Sequence, residues 1–271
     1  MKTLNFKSLD QCLLAQNNRI IHQIWFCTIP NKRSACKAYI KLKIYRDSWK
    51  IKNPTWYHIQ WNKQLCFELI QTLFPEHIDM YKKYKWDIQR CDAVRYFILY
   101  RYGGVYADMD CYCNRSFDEV LQNYPGICRL VQTPNHYGIS ISNALMYSKR
   151  NHVFWKKVHL ELEKSKEKYY YIGNHIQIMC TTGPTFLNRV FEKYKYRYGL
   201  NMYPYEKFWP YGISDVITTL ISNPDIYTVH VCKGSWQKFD TQFFNTFVRE
   251  WKIIAYIIII YIVIIIIYYK C

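Results

Sequence analysis

The stretch from Cys91 to Cys113, CDAVRYFILYRYGGVYADMDCYC, constrains what this chain can fold into more than any other. Val94, Phe97, Ile98 and Tyr102 recur at helical spacing, and Gly103 and Gly104 follow as residues that tolerate positive φ and commonly end a helix. Val105, Tyr106 and Ala107 then form a short apolar run that suits a buried strand. Helix, glycine turn and strand in that order predict an α/β fold. Asp108 and Asp110 fall at the strand's C-terminal end, two residues apart and able to face one ligand, and ligands of open α/β sheets collect outside the carboxyl ends of the strands.

Two carboxylates at such a place offer hard oxygen donors to Mg2+ or Mn2+, and an ion so held can neutralise a diphosphate. An acidic pair alone is common in loops, so the weight rests on its neighbours. Asp92 and Arg95 lie at i and i+3 on one face of the predicted helix, where they form either a solvated ion pair or a grip on a ribose and on sugar hydroxyls. Trp25 ends a strand-like run over residues 20–26, as core or as a platform for a base, and His22 on the same run reads as structural. His230 follows an apolar run at residues 226–229, where a lone histidine is ordinarily a satisfied polar residue. Asn143, after Ser142, suits a turn or a position near a bound sugar.

Several segments together carry a resemblance. These are CDAVRYFILYRYGGVYADMD, the run IIHQIW at residues 20–25, NALM at 143–146, TTGP at 181–184, and a closing His230…Gly234-Ser235-Trp236 element. Over roughly residues 18 to 240 they resemble the glycosyltransferases that share a sugar-binding region containing an Asp-x-Asp motif (family 32). The likeness is strongest to catalytic subunits of fungal mannosyl inositol phosphorylceramide synthases. The resemblance implies a GT-A fold, an α/β, Rossmann-like mixed sheet with helices on both faces. It also implies a nucleotide-sugar donor, GDP-mannose in this branch, and retention at the anomeric carbon. The implied acceptor is a membrane lipid such as inositol phosphorylceramide, with a glycan or protein acceptor as the alternative, and a regulatory partner subunit is implied too. By the same resemblance Asp108 and Asp110 are catalytic and bind the metal, His230 adds a ligand, and Trp25, Asp92, Arg95, Ser235 and Trp236 bind the donor. A reading of another class is a catalytically silent, membrane-anchored nucleotide-binding scaffold.

With 271 residues, half of them apolar, and no repeat or Gly/Ser linker, one sizeable domain over residues 18–248 is expected, preceded by a helical extension at residues 1–17. Residues 253–269 are almost entirely Ile, Tyr and Val, and as a helix at about 1.5 Å per residue they would cover roughly 25 Å. A single C-terminal transmembrane anchor over 249–271 in a Golgi or ER-type membrane is therefore expected. Arg249 and Lys252 against Lys270 favour a cytosolic domain, whereas the resemblance implies the lumen; both orientations stay open. The eleven cysteines show no repeated metal-ligand spacing, and Cys111 with Cys113 lacks the second pair that zinc needs. The net charge of +17 is spread along the chain without a nucleic-acid module, so no nucleic-acid partner is expected, while anionic lipid headgroups would suit it.

Overall fold

The computed structural model describes residues 5–26, 39–135, 138–165, 173–209, 217–231 and 260–261. A six-stranded sheet runs in the order β2-β1-β3-β6-β5-β7, with β1 Ile20–Ile24, β2 Tyr57–Trp61, β3 Gly104–Ala107, β5 Cys128–Asn135, β6 Gly138–Ser148 and β7 Leu200–Tyr203. β1 pairs in parallel with β2 and β3, β6 runs antiparallel to β3 and β5, and β7 returns parallel to β5. The sheet is mixed, as the sequence leads one to expect. A separate ribbon joins β4, Cys111–Cys113, to β8, Thr228–His230.

Alternation along the central strands sends neighbours to opposite faces, and each face carries its own core. Ile20, Ile24, Tyr106, Leu130 and Met146 face one core with the helices Lys63–Leu73, Asp87–Tyr102, Val153–Ser165 and Pro184–Tyr194. Ile21, Val105, Ala107, Val131, Leu145 and Tyr147 face the other, against Trp49 of the helix Lys43–Lys52 and Phe117 and Val120 of the helix Phe117–Asn123. Helices thus cover both faces. Side chains set several helix starts: Asn62 accepts from Leu65 N at 2.8 Å, and Asn5 accepts from Ser8 N at 2.9 Å.

The helix Phe6–Ala15 packs on the domain. Leu13 is buried, and Asp10 accepts from Arg101 Nη2 at 2.7 Å and from Tyr102 Oη at 2.9 Å. The helix Asp87–Tyr102 begins a turn earlier than the apolar spacing from Cys91 indicates and ends at Gly103 as expected. Gly103 and Gly104 take φ of 66° and 86°, and a Cβ on Gly104 would lie 2.4 Å from Ile20 O. Only glycine lets β3 lie this close to the entry of β1. The expected membrane anchor at 249–271 lies outside the described residues except Ile260 and Tyr261; among the described residues no helix is long and apolar enough to cross a membrane.

Candidate active site

The parallel strands β1, β2 and β3 end on one edge of the sheet, and the chain leaves β3 directly into Asp108-Met109-Asp110. Both carboxylates lie past the last strand residue, Ala107. A turn closed by Cys111 N donating to Asp108 O at 3.0 Å brings them to one side. β4 then pairs with β8 in the register Cys111↔His230, which carries His230 back to Asp110. His230 Nε2 lies 3.0 Å from Asp110 Oδ1 and 3.9 Å from Asp108 Oδ2. Donor atoms of all three residues fall within 4.8 Å of one another. The Trp209 ring covers the imidazole, centroid to centroid 4.1 Å.

Beneath this cluster lies a polar network that sequence spacing alone reads differently. Asp92 and Arg95 are not a solvated ion pair: they are 4% and 3% exposed, because the helix that carries them is buried on nearly every side. Arg95 Nη2 lies 2.7 Å from Asp92 Oδ1, and Nη1 reaches Asp108 Oδ1 at 3.2 Å and donates to Asn143 O at 2.7 Å. Its guanidinium sits 4.5 Å from the Tyr106 ring centre, and Tyr106 Oη donates to Asp108 Oδ1 at 2.6 Å. Asp92 Oδ1 also accepts from Asn143 Nδ2 at 3.1 Å, while Oδ2 has a long contact of 3.4 Å from Thr182 Oγ1. Burial pushes the Asp92 carboxyl up to about 6, Arg95 opposing and Asp108 adding to the rise. Burial also raises Asp108, again against Arg95 and with Asp110 adding.

Asn143 reaches this network through an irregularity. β5 pairs Leu130 with Met146 and then Val131 with Ser142, so residues 143–145 bulge from the β5 ladder. The freed Asn143 carbonyl receives Arg95, and Ala144 O accepts from Asp108 N at 2.8 Å. Asn143 is therefore neither a turn residue nor an ordinary strand residue.

Trp25 follows β1 at the same strand edge, half-buried, its ring 5.7 Å from Tyr39, whose hydroxyl donates to Gln60 Oε1 at 2.7 Å. Gln23, paired with Gln60 across the β1–β2 register, is 4% exposed and its Nε2 has no hydrogen-bond partner. His22 is structural as expected: Nε2 meets Gly103 O at 2.9 Å, Nδ1 accepts from Trp61 Nε1 at 3.2 Å, and burial drives the imidazole down to about 3. Ser235 and Trp236 lie outside the described residues. Cys111 and Cys113 are buried, and burial pushes the Cys113 thiol up to about 12.

The sequence reading missed Tyr106, Tyr96, Trp209 and Gln23. Tyr106 was within reach, since it shares a strand face with Asp108 two residues on, and Gln23 stands two before Trp25. Tyr96, which takes Asn143 Nδ2 at 3.2 Å, reads as one more core aromatic, and Trp209 meets His230 only through tertiary packing.

Three side chains of the donor types that can hold a divalent ion thus stand at the carboxyl edge of a mixed α/β sheet. The glycosyltransferase sugar-binding region containing the DXD motif matches residues 41–126, in line with the resemblance read from the sequence. The chain is 36% identical over 143 residues to a mannosyl phosphorylinositol ceramide synthase of Saccharomyces cerevisiae, covering 53% of this chain and 35% of the relative. It is 29% identical over 242 residues to an inositol phosphoceramide mannosyltransferase of Schizosaccharomyces pombe, covering 88% of this chain and 61% of the relative. Against the solved PaToxG glycosyltransferase the TM-score is 0.47 at 15% identity, covering 70% of this chain and 75% of that one. The chain thus spans only part of the length of the relatives it matches.

Proposed function

We propose that this chain is a metal-dependent, retaining glycosyltransferase of the GT-A type that moves mannose from GDP-mannose to inositol phosphorylceramide. The observation that carries the reading is the convergence of Asp108, Asp110 and His230 within 4.8 Å at the edge where the parallel strands end. Two carboxylates and an imidazole fit Mn2+ or Mg2+ by donor type. Bound there, such an ion would neutralise the charge of a departing nucleoside diphosphate.

The chain's own residues divide the remaining work. Arg95, locked by Asp92 and the Asn143 carbonyl, fixes the Asp108 carboxylate from below, and Tyr106 fixes it from the side. Asp92 Oδ2, weakly held by Thr182, is the oxygen left to accept from a sugar hydroxyl. Trp25 and Tyr39 offer ring faces to the base, and the unpartnered Gln23 amide beside them offers it a donor. For Ser235 and Trp236, a role at the diphosphate rests on the resemblance alone. Lipid as acceptor follows the names of the relatives, while the membrane anchor at 249–271 rests on the apolar run of residues 253–269, and the Golgi-type membrane and the partner subunit on the resemblance alone.

The test is donor turnover. Purified chain with Mn2+ is expected to hydrolyse GDP-mannose faster than other nucleotide sugars and to mannosylate inositol phosphorylceramide in detergent. The double variant Asp108→Ala, Asp110→Ala should lose both activities while unfolding at nearly the wild-type temperature. Turnover that survives in that variant removes the proposal, and wild-type binding of nucleotide without any turnover would favour the scaffold reading.

A further inference from the structure

The outward face of the helix Lys43–Lys52 departs from the pattern of the rest of the domain. Leu42, Ser48 and Trp49 close its inner side, yet Ile40, Ile44 and Ile51 stand 65%, 61% and 72% exposed. At 3.6 residues per turn Ile44 and Ile51 fall within about 20° of one another, on the side away from Trp49, and Ile40, just before the turn at Leu42, adds a third exposed isoleucine. The lysines are not scattered at random around them. Lys43 and Lys50 line one side of the apolar stripe, Lys41 and Lys52 the other, and all four are exposed. The stripe's one carboxylate, Asp47, is held by Lys43 and by Arg46, the latter at 3.2 Å. A groove of about 460 Å3 continues the stripe to Tyr112, which lies between the two residues of β4 whose partners are His230 and Thr228.

What covers this face must be apolar along its middle and negative along both flanks. A second copy would set lysines against lysines, and the apolar segment at residues 253–269 carries no negative charge to answer them. A bilayer with anionic headgroups meets both demands, since the isoleucines enter the headgroup and acyl boundary while the lysines meet phosphates. We propose that the surface of residues 40–52 is a membrane-contact face that lays the domain on an anionic lipid surface, with Tyr112 and the ribbon that carries His230 at its margin. This contact is additional to any anchoring segment, and it holds whichever sugar or acceptor the site uses.

Hydrogen exchange on the full chain tests it in vesicles of phosphatidylcholine mixed with phosphatidylserine and in vesicles of phosphatidylcholine alone. Amides of residues 39–52 are expected to exchange several-fold more slowly in the anionic vesicles, and raised salt should remove most of the difference. The variant Ile44→Glu, Ile51→Glu changes two exposed side chains, so exchange elsewhere and the melting temperature should stay as in the wild type while this protection is lost. Equal exchange of the segment in both vesicle types, or protection that survives the double variant, overturns the proposal. So does protection that grows with protein concentration in the absence of vesicles, which would assign the face to self-association.

Discussion

Arg95 decides how the site holds together at the scale of single residues. A buried guanidinium between two carboxylates is worth little as a net stabiliser, but removing it leaves Asp92 and Asp108 uncompensated in a medium that penalises bare charge. Arg95→Met should therefore cost about 3 to 5 kcal/mol in urea unfolding at neutral pH. Arg95→Lys is the more informative variant, because one ammonium cannot serve Asp92, Asp108 and the Asn143 carbonyl together. It should fold, yet turn over donor about a hundredfold more slowly, since a misplaced carboxylate costs alignment rather than binding. A lysine variant with wild-type kcat would show that Arg95 only fills space. None of this was legible in the spacing of Asp92 and Arg95. An acidic and a basic residue three apart on a helix look the same in sequence whether the face meets water or a second carboxylate. The place of Asp108 and Asp110 just past the strand was legible, because glycines and a β-run announce where the strand ends.

Among the elements, the junction of the helix Asp87–Tyr102 with β3 sets where Asp108 emerges. Gly103 closes the helix, and Gly104 starts the strand at positive φ against the carbonyl of Ile20. Gly104→Ala would place a methyl 2.4 Å from that carbonyl oxygen, on backbone that cannot swing aside. The strain of a left-handed alanine adds about 1 kcal/mol or more, so a total loss of at least about 2 kcal/mol is expected in thermal or urea melts. Because β3 would shift against β1, metal-dependent turnover should fall further than stability alone accounts for. An alanine variant as stable as the wild type would mean that the junction is free to move. This element was readable in advance, since a Gly-Gly pair after helical spacing has few other uses. The bulge at residues 143–145 was not, because Asn143 after Ser142 suits a turn as readily, and nothing there marks a slip of register within a strand. The slip is specified by what the Asn143 and Ala144 carbonyls receive from Arg95 and Asp108, and no local pattern records that.

Across the whole molecule, both cores on either face of the sheet hold many aromatic rings, and neutral histidines serve among them as rings. His22 lies in the sheet between Trp61 and Tyr102, and His159 stacks on Phe97 at 3.8 Å and 11°. Burial lowers both to about 3, with the charge of His77 adding at His159. Each folded value lies below the ordinary 6.5, so the unfolded chain takes up these protons first, and acid pulls the equilibrium toward it. Their contribution to stability is complete above about pH 6.5 and drains away as the pH falls toward 3, at about 1.4 kcal/mol per pH unit for each ring. Between pH 6.5 and pH 4.5 the pair should cost the fold several kcal/mol, read as a falling urea midpoint. His159 gives the cleaner variant, because its Nε2 is buried without a partner, whereas His22 holds two hydrogen bonds. His159→Phe keeps the stack on Phe97, removes an unsatisfied polar atom and abolishes one titration. It should hold or raise stability at pH 7 and roughly halve the loss on acidification. If the variant loses stability as steeply as the wild type over that range, the acid sensitivity belongs to carboxylates and not to these rings.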